Sequence, residues 1–265
     1  MIEIVAEIGI NHNGDADTAI DMAQMAQRAG CDFVKFQKRT PELCVPEAQK
    51  NVMKSTPWGE MTYLEYKRHI ELSEKEYDLI NESIDIPWFF SVWDVPSVAV
   101  AMRYNSEYIK IPSAKLTDDD LVRACFNTGR TVILSTGMSD MEEVRASMLN
   151  ARMMLMHAVS AYPLEDGDAN LSAIHELRKT HIPVGYSDHT RGIHIPEAAA
   201  ALGACMIEKH ITLDRAMWGT DQGASIEEGG LTKMVRNIRA IEAAMGDGVK
   251  RLQSCEMEAK WKLRG

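Results

Sequence analysis

The chain has 265 residues, 45% of them hydrophobic, and its 39 acidic against 29 basic side chains give a formal net charge of −10. That balance disfavours non-specific binding to nucleic acid or to anionic membrane surfaces, and no run approaches the ~18 apolar residues of a bilayer span. The five cysteines, Cys31, Cys44, Cys125, Cys205 and Cys255, are odd in number and scattered, with no C-x-x-C, so neither a disulfide framework nor a thiolate zinc site fits. Residues 2–10 are apolar but contain Glu3 and Glu7 with no basic segment before them, which does not read as a signal peptide. These features predict a soluble cytoplasmic protein with neither a nucleic-acid nor a membrane partner.

Eight short apolar runs follow in chain order: 3–10 (EIVAEIGI), 33–37 (FVKFQ), 88–92 (WFFSV), 107–111 (EYIKI), 131–136 (TVILST), 153–158 (MMLMHA), 182–188 (IPVGYSD) and 205–211 (CMIEKHI). They read as parallel strands buried on both faces. Helical signals lie between them. Asp15 is placed to cap a helix whose apolar face is Ala19, Met22, Ala23 and Ala26, with Gly30 just past its end. S-D-M-E at 139–142 reads as a capping box before Val144 and Met148. Leu231, Met234, Val235, Ile238, Ile241 and Met245 form a stripe closed by Gly246. This alternation over a chain of this length predicts a single (β/α)8 TIM barrel at 1–250, with a tail at 251–265. A doubly wound sheet lacks its phosphate fingerprint, because no G-x-G-x-x-G occurs. Residues 38–61 carry Pro41, Pro46 and Pro57 and no clear period; a long loop after the second strand suggests a lid or substrate loop, with a plain insertion as the alternative.

Polar residues collect at the C-terminal ends of these strands: Glu7; Lys35 and Gln37; Ser91 and Asp94; Lys110 and Ser113; Ser135 and Thr136; His157, Ser160 and Tyr162; Ser187, Asp188 and His189; Glu208 and His210. In a barrel these ends converge on one mouth, where active sites are built. Lys35 and Lys110 with several serine hydroxyls make a cradle for phosphate or carboxylate; the alternative is that each lysine pairs with Glu7 or Glu208. His189 and His210, ending neighbouring strands, suit a divalent ion such as manganese, zinc or iron, while a hydrogen-bonded core histidine is the alternative and His12 and His157 compete as ligands. Ser187, Asp188 and His189 hold triad residue types, but adjacent residues cannot form a triad.

The strings AEIGINHNGD (6–15), VKFQ (34–37), KIPS (110–113), LSTGM (134–138), SAYP (160–163), SDHT (187–190) and IEKHIT (207–212) resemble the sialic acid synthases, which make N-acetylneuraminate, legionaminate and pseudaminate. The resemblance runs from about residue 4 to 250. It implies a (β/α)8 barrel and condensation of phosphoenolpyruvate with an N-acylated hexosamine, giving a nine-carbon 2-keto acid and phosphate. Lys35 and Lys110 then hold phosphoenolpyruvate with Ser113, Ser160 and Ser187. His189 and His210 bind a divalent metal, usually manganese. Glu7, Gln37, Tyr162 and Asp221 hold the amino sugar, and Glu208 falls where the family has a second-shell or acid/base carboxylate. The resemblance also implies a homodimer.

Three departures bear on the sugar and on proton transfer. The chain stops at KWKLRG, about where the family's small antifreeze-like domain begins, so the expectation is a barrel without that domain, or one served by a separate chain carrying it. K-I-P-S-A-K stands where the family often reads K-I-x-S-G-E, putting Lys115 in place of a glutamate. F-S-V-W-D at 90–94 replaces a pattern closer to F-S-T-P-F. A different acceptor sugar, or a barrel inactive without a partner, are the alternatives these departures leave.

Overall fold

The strand-forming runs share one pattern: inward positions are apolar in the lower half of the strands and polar near the C-terminal end. The computed structural model describes residues 1–149 and 151–265. In it the runs become β1 (Glu3–Gly9), β2 (Phe33–Lys38), β3 (Trp88–Val92), β4 (Tyr108–Ile111), β5 (Thr131–Ser135), β6 (Met153–Ala158), β7 (Val184–Asp188) and β8 (Met206–His210). These close into a parallel barrel in the order β1-β8-β7-β6-β5-β4-β3-β2, the (β/α)8 architecture that the alternation predicts. Expected and observed boundaries differ by no more than two residues.

Because side chains alternate along a strand, the barrel interior is layered. Val5, Phe89, Tyr108, Ile133, Met154, Met156 and Met206 form an apolar plug, with Phe33 packed against it. Two residues further along, the inward positions become Glu7, Lys35, Ser91, Lys110, Ser135 and Glu208, all buried. The intervening outward residues, such as Ile4, Val34, Phe90, Ile109, Leu134 and Ile207, pack against the helical shell. Each such side chain removed from water stabilises the fold by about 1.5–3 kcal/mol.

The shell comprises α1 (Ala16–Ala29), α2 (Tyr63–His69), α3 (Glu74–Ser83), α4 (Val95–Ala101), α5 (Asp119–Phe126), α6 (Met141–Ser147), α7 (Ala173–Arg178), α8 (His194–Ala201) and α9 (Glu228–Met245). In α1 the Asp15 carboxylate accepts from the Thr18 N–H and Gly30 closes the helix at φ +86°, a left-handed conformation that glycine adopts without a Cβ penalty. The α6 capping box sits one residue later than expected: Asp140, not Ser139, accepts from Glu142 and Glu143, and Glu143 returns the bond. A carboxylate at that position also favours the positive end of the helix dipole.

The connection at 38–61 is not a structureless loop. It holds a helical turn at Pro41–Cys44, a 3-10 turn at Glu47–Gln49 and an antiparallel hairpin pairing Met53–Thr56 with Gly59–Thr62. Its prolines sit at turn starts, where a missing N–H costs nothing, and that hid the order from a periodicity reading. The hairpin tip, Trp58, lies 4.2 Å from the His69 ring and 5.4 Å from that of Trp218. Beyond α9, residues 246–265 are exposed throughout and include a short helix, α10 (Met257–Arg264).

One buried ion pair ties the barrel's rim together. Alternation sends Ser187 and Glu208 inward, and so turns Asp188 and Lys209 outward, where both side chains are 0% exposed and meet at 2.6 Å. Asp188 also accepts from the Tyr186 and Thr190 hydroxyls, each at 3.0 Å, and Lys209 donates to the Thr190 carbonyl. Removing one partner leaves the other charge buried and uncompensated. Lys209→Met is expected to lower stability by about 3–5 kcal/mol, read as a lower denaturant midpoint at unchanged slope; a loss below about 1 kcal/mol shows the pair contributes no more than a surface one.

Candidate active site in the barrel mouth

Four charged side chains occupy the layer above the apolar plug. Strand register sets Glu7 opposite Lys35 and Glu208 opposite Ser187, and puts Ser91 beside Lys110. Lys35 lies 2.9 Å from Glu7 and 3.5 Å from Glu208, and Lys110 lies 2.7 Å from Glu208. Ser187 donates to Glu208 at 2.9 Å, and Gln37 to Glu7 at 3.0 Å. The lysines are therefore not free cations. The pairing alternative is what the structure adopts, and the four charges cancel.

The cancellation is uneven. Burial opposes the Glu208 carboxylate, yet Lys110 and Lys35 outweigh it and hold its pKa well below the usual range. Burial also works against the Lys35 ammonium, and Glu208 with Glu7 more than compensates, so its pKa is raised. For Lys110 burial prevails over Glu208, and the neighbouring Lys35 adds to it, bringing the pKa down to about 8. Glu7 Oε2 and Glu208 Oε2 are buried without a hydrogen-bond donor; the Lys35–Glu7 contact is an ion pair outside hydrogen-bonding geometry.

Above the quartet opens a cavity of about 270 Å³. Of the residues singled out in the sequence, Glu7, Lys35, Gln37, Lys110, Ser113, Ser160, Tyr162, Ser187, His189, Glu208 and His210 line it. Asp221 does not; it lines a neighbouring cavity, its carboxylate 3.9 Å from His210 Nδ1. The serines are held closely. Ser113 donates to Ser135 at 3.0 Å and accepts from the Gly137 N–H at 3.0 Å. A Cβ at Gly137 would stand 2.5 Å from the Ser160 hydroxyl and 2.8 Å from that of Ser113, so no larger residue leaves both serines in place.

The two histidines face each other with ring centroids 5.5 Å apart, and Tyr162 lies 4.0 Å from the His189 ring. His189 Nδ1 sits 2.6 Å from the Val159 carbonyl. A carbonyl only accepts, so Nδ1 carries the proton and Nε2 keeps its lone pair. Burial and the adjacent His210 push the His189 pKa down to about 3, so this imidazole is neutral. His210 Nδ1 is buried with no hydrogen-bond partner. Two imidazoles, one neutral and one with an orphaned nitrogen, are a donor set that fits a divalent ion. Among the described residues no third His, Cys, Asp or Glu gathers with them into a ready metal cluster; water or substrate oxygens would complete the shell.

Several strand-end residues do not reach this mouth. Asp94 caps α4 and binds the Thr40 N–H at 2.5 Å. Thr136 and His157 line a separate cavity on the outer side, where His157 Nε2 meets the Ala169 carbonyl at 2.9 Å. His12 Nδ1 accepts from the Gly14 N–H at 3.0 Å. Neither His12 nor His157 lines the mouth. Lys115 turns away to Asp118 at 3.1 Å, and Ala114 lines the cavity instead. Conversely, Trp93 and Met138 line the mouth without having been singled out. A second cavity of about 280 Å³ shares Gln37, Trp93 and Tyr162 with the first and is walled by Arg39 and Lys67. Nothing in the local pattern marks Arg39 or Lys67, which reach it from the loop after β2 and from α2.

The model of the NeuB family matches residues 22–250. The N-acetylneuraminate-9-phosphate synthases of Mus musculus and Homo sapiens are each 37% identical over 272 residues, covering 98% of this chain and 76% of theirs. N,N'-diacetyllegionaminic acid synthase of Campylobacter jejuni is 36% identical over 270 residues, covering 96% of this chain and 80% of its own. Among solved structures, the N-acetylneuraminic acid synthetase of Leptospira borgpetersenii, in complex with citrate, superposes with a TM-score of 0.88 at 33% identity, covering 99% of this chain and 92% of that one. The motifs at the strand ends, the layered barrel they build and this breadth of similarity agree: the chain is a member of the NeuB family of sialic acid-type synthases.

Proposed function

We propose that this protein condenses phosphoenolpyruvate with the open-chain form of an N-acylated hexosamine, giving a nine-carbon 2-keto sugar acid and inorganic phosphate. The observation that carries the reading is the neutral quartet Glu7–Lys35–Glu208–Lys110 lying under two imidazoles in one barrel mouth. Lys35 and Lys110, with Ser113, Ser160 and Ser187, hold the phosphate and carboxylate of phosphoenolpyruvate. An incoming trianion meets lysines already paired and ordered, so their charge is redirected and little reorganisation is needed. Glu7, Gln37, Tyr162 and Asp221 hydrogen-bond the amino sugar and set its aldehyde against the C3 carbon of phosphoenolpyruvate.

In the reaction C3 attacks the aldehyde carbon, whose oxygen takes up a proton. Water adds at C2 and gives up one proton; the bond from C2 to the phosphate oxygen then breaks as the C2 hydroxyl becomes the ketone, its proton leaving with the phosphate. Glu7, whose carboxylate meets the Lys35 ammonium at 2.9 Å, is the group to take the proton from water and return one to the new hydroxyl; Glu208, kept ionised by Lys110 and Lys35, holds the two lysines in place. Lys110 stays beside the departing phosphate and offsets its growing charge. His189 and His210 would hold a divalent ion, for which we propose manganese; when bound it supplies Lewis-acid polarisation of the aldehyde oxygen.

The reading is tested by phosphate release from phosphoenolpyruvate, with manganese present, across a panel of N-acylated hexosamines and plain aldoses. Release is expected to need an N-acylated hexosamine, to stop with EDTA, and to be lost in His189→Ala and His210→Ala. Silence with every N-acylated hexosamine, from folded and metal-supplied protein, sinks it; release with plain aldoses alone moves the acceptor class. In the same assay Gly137→Ala, which displaces two serine hydroxyls, is expected to cut kcat/KM on the order of 10²-fold with the thermal midpoint nearly unchanged. Full activity in that variant would remove Ser113 and Ser160 from the binding of phosphoenolpyruvate.

A further inference from the structure

We infer that the acceptor sugar carries a phosphate on the carbon farthest from its aldehyde, and that Lys67 and Arg39 hold that phosphate in the outer cavity. The inference rests on the condensation proposed above and names the substrate class of the same site. The inner cavity takes the aldehyde end of the acceptor, beside His189 and His210. Gln37, Trp93 and Tyr162 wall both cavities, so an acceptor reaching past them places its far end among the residues of the outer one.

The chemistry of that outer wall is that of an anion site. The chain as a whole is strongly acidic, at −10, yet Asp221 is the one carboxylate lining this cavity among the described residues, and it stands toward His210. Lys67 has no carboxylate within ion-pair distance among the described residues; its ammonium lies 5.3 Å from the Tyr63 ring centroid and 5.2 Å from that of Tyr66. The Lys54 ammonium, 5.2 Å from the same Tyr66 ring, adds a second charge beside it. Arg39 is 8% exposed. Its guanidinium stacks 4.4 Å from the Trp93 ring, and its Nε is buried without an acceptor. The nearest carboxylate, Glu71 at 3.8 Å, is engaged by Lys38 at 2.7 Å. The Trp93 indole N–H is likewise buried without an acceptor.

Half-buried cations and unsatisfied N–H donors cost free energy until acceptors arrive. A neutral hydroxyl brings one acceptor and no charge. A phosphate brings three oxygens and about two negative charges, matching the set in number and sign. Burial, and the charge of Arg39 beside it, lower the Lys67 pKa to about 8, and a neighbouring anion reverses that. Overall similarity does not choose between acceptors. The 9-phosphate synthases and the legionaminic acid synthase of the comparison differ by one percentage point, 37% against 36%. Phosphoenolpyruvate adds three carbons, so a phosphate on C6 of a hexose becomes one on C9 of the product.

The test compares an N-acylated hexosamine with its 6-phosphate, by calorimetric titration of the manganese-supplied protein and by phosphate release from phosphoenolpyruvate. The 6-phosphate is expected to bind and react on the order of 10–100-fold better. Lys67→Met should bring the two acceptors to within about threefold of each other, Lys67→Arg should keep the preference, and the KM for phosphoenolpyruvate should not move. Equal kcat/KM for the two acceptors, or a Lys67→Met loss that is the same for both, overturns the inference and leaves the condensation standing. Tighter, Lys67-dependent binding of the 6-phosphate without turnover supports the anion site while removing the condensation; no preference in binding and no turnover remove both.

Discussion

Two lysines and two glutamates share the dry interior of one barrel, and much else in the molecule follows from that. Taking each charge out of water costs several kcal/mol, which mutual attraction repays only when the geometry is held closely. Here the geometry comes from strand register: β1 beside β2 sets Glu7 against Lys35, and β8 and β4 reach across to join Glu208 with Lys110. The apolar plug beneath fixes the height of the layer. A hydrophobic set of the same volume would make a barrel at least as stable. The quartet makes sense as a prepared electrostatic environment, neutral when resting and able to redirect two positive charges toward an anion.

The Asp188–Lys209 pair performs a different task one residue away. Outward-facing and fully enclosed, it joins β7 to β8 and holds the backbone at Thr190. His189 lies between Asp188 and Thr190, so its ring is positioned by this pair from behind and by the Val159 carbonyl from the side. His210 follows Lys209 directly. Each imidazole thus follows one member of the pair in sequence, so the pair holds the backbone from which both rings project.

The outer wall of the mouth is built by a segment that a periodicity reading leaves blank. Residues 39–67 fold back through a helical turn and a hairpin, and the aromatic contacts of Trp58, Tyr66 and Trp218 pin them over the barrel rim. This wall is richer in cations and aromatic rings than in carboxylates. Its electrostatics therefore differ from those of the inner layer, where every charge is paired. In a barrel, such loops are where specificity is varied while the layer beneath keeps the reaction.

Much of the fold and of the inner site was legible in the chain, because both depend on local period. Eight apolar runs with intervening capped helices allow few architectures. Alternation then decides which residues face inward, so Glu7, Lys35, Lys110, Ser187 and Glu208 could be assigned to one mouth. Grouping polar residues by strand end did not separate Thr136, His157 and Asp188, each one residue past an inward position and so turned outward, or Asp94, which caps a helix. Whether the lysines were free or paired, and which oxygens lacked donors, was set by distances across the barrel between strands far apart in sequence. The same holds for Asp221, placed beside His210 by the turn after β8, for Lys115, drawn away by Asp118, and for Arg39 and Lys67, which meet only through the folded loop. Sequence by itself determined the period, the caps and hence the barrel. Tertiary structure decided which charges meet, because electrostatic pairing depends on separations in space that no local pattern encodes.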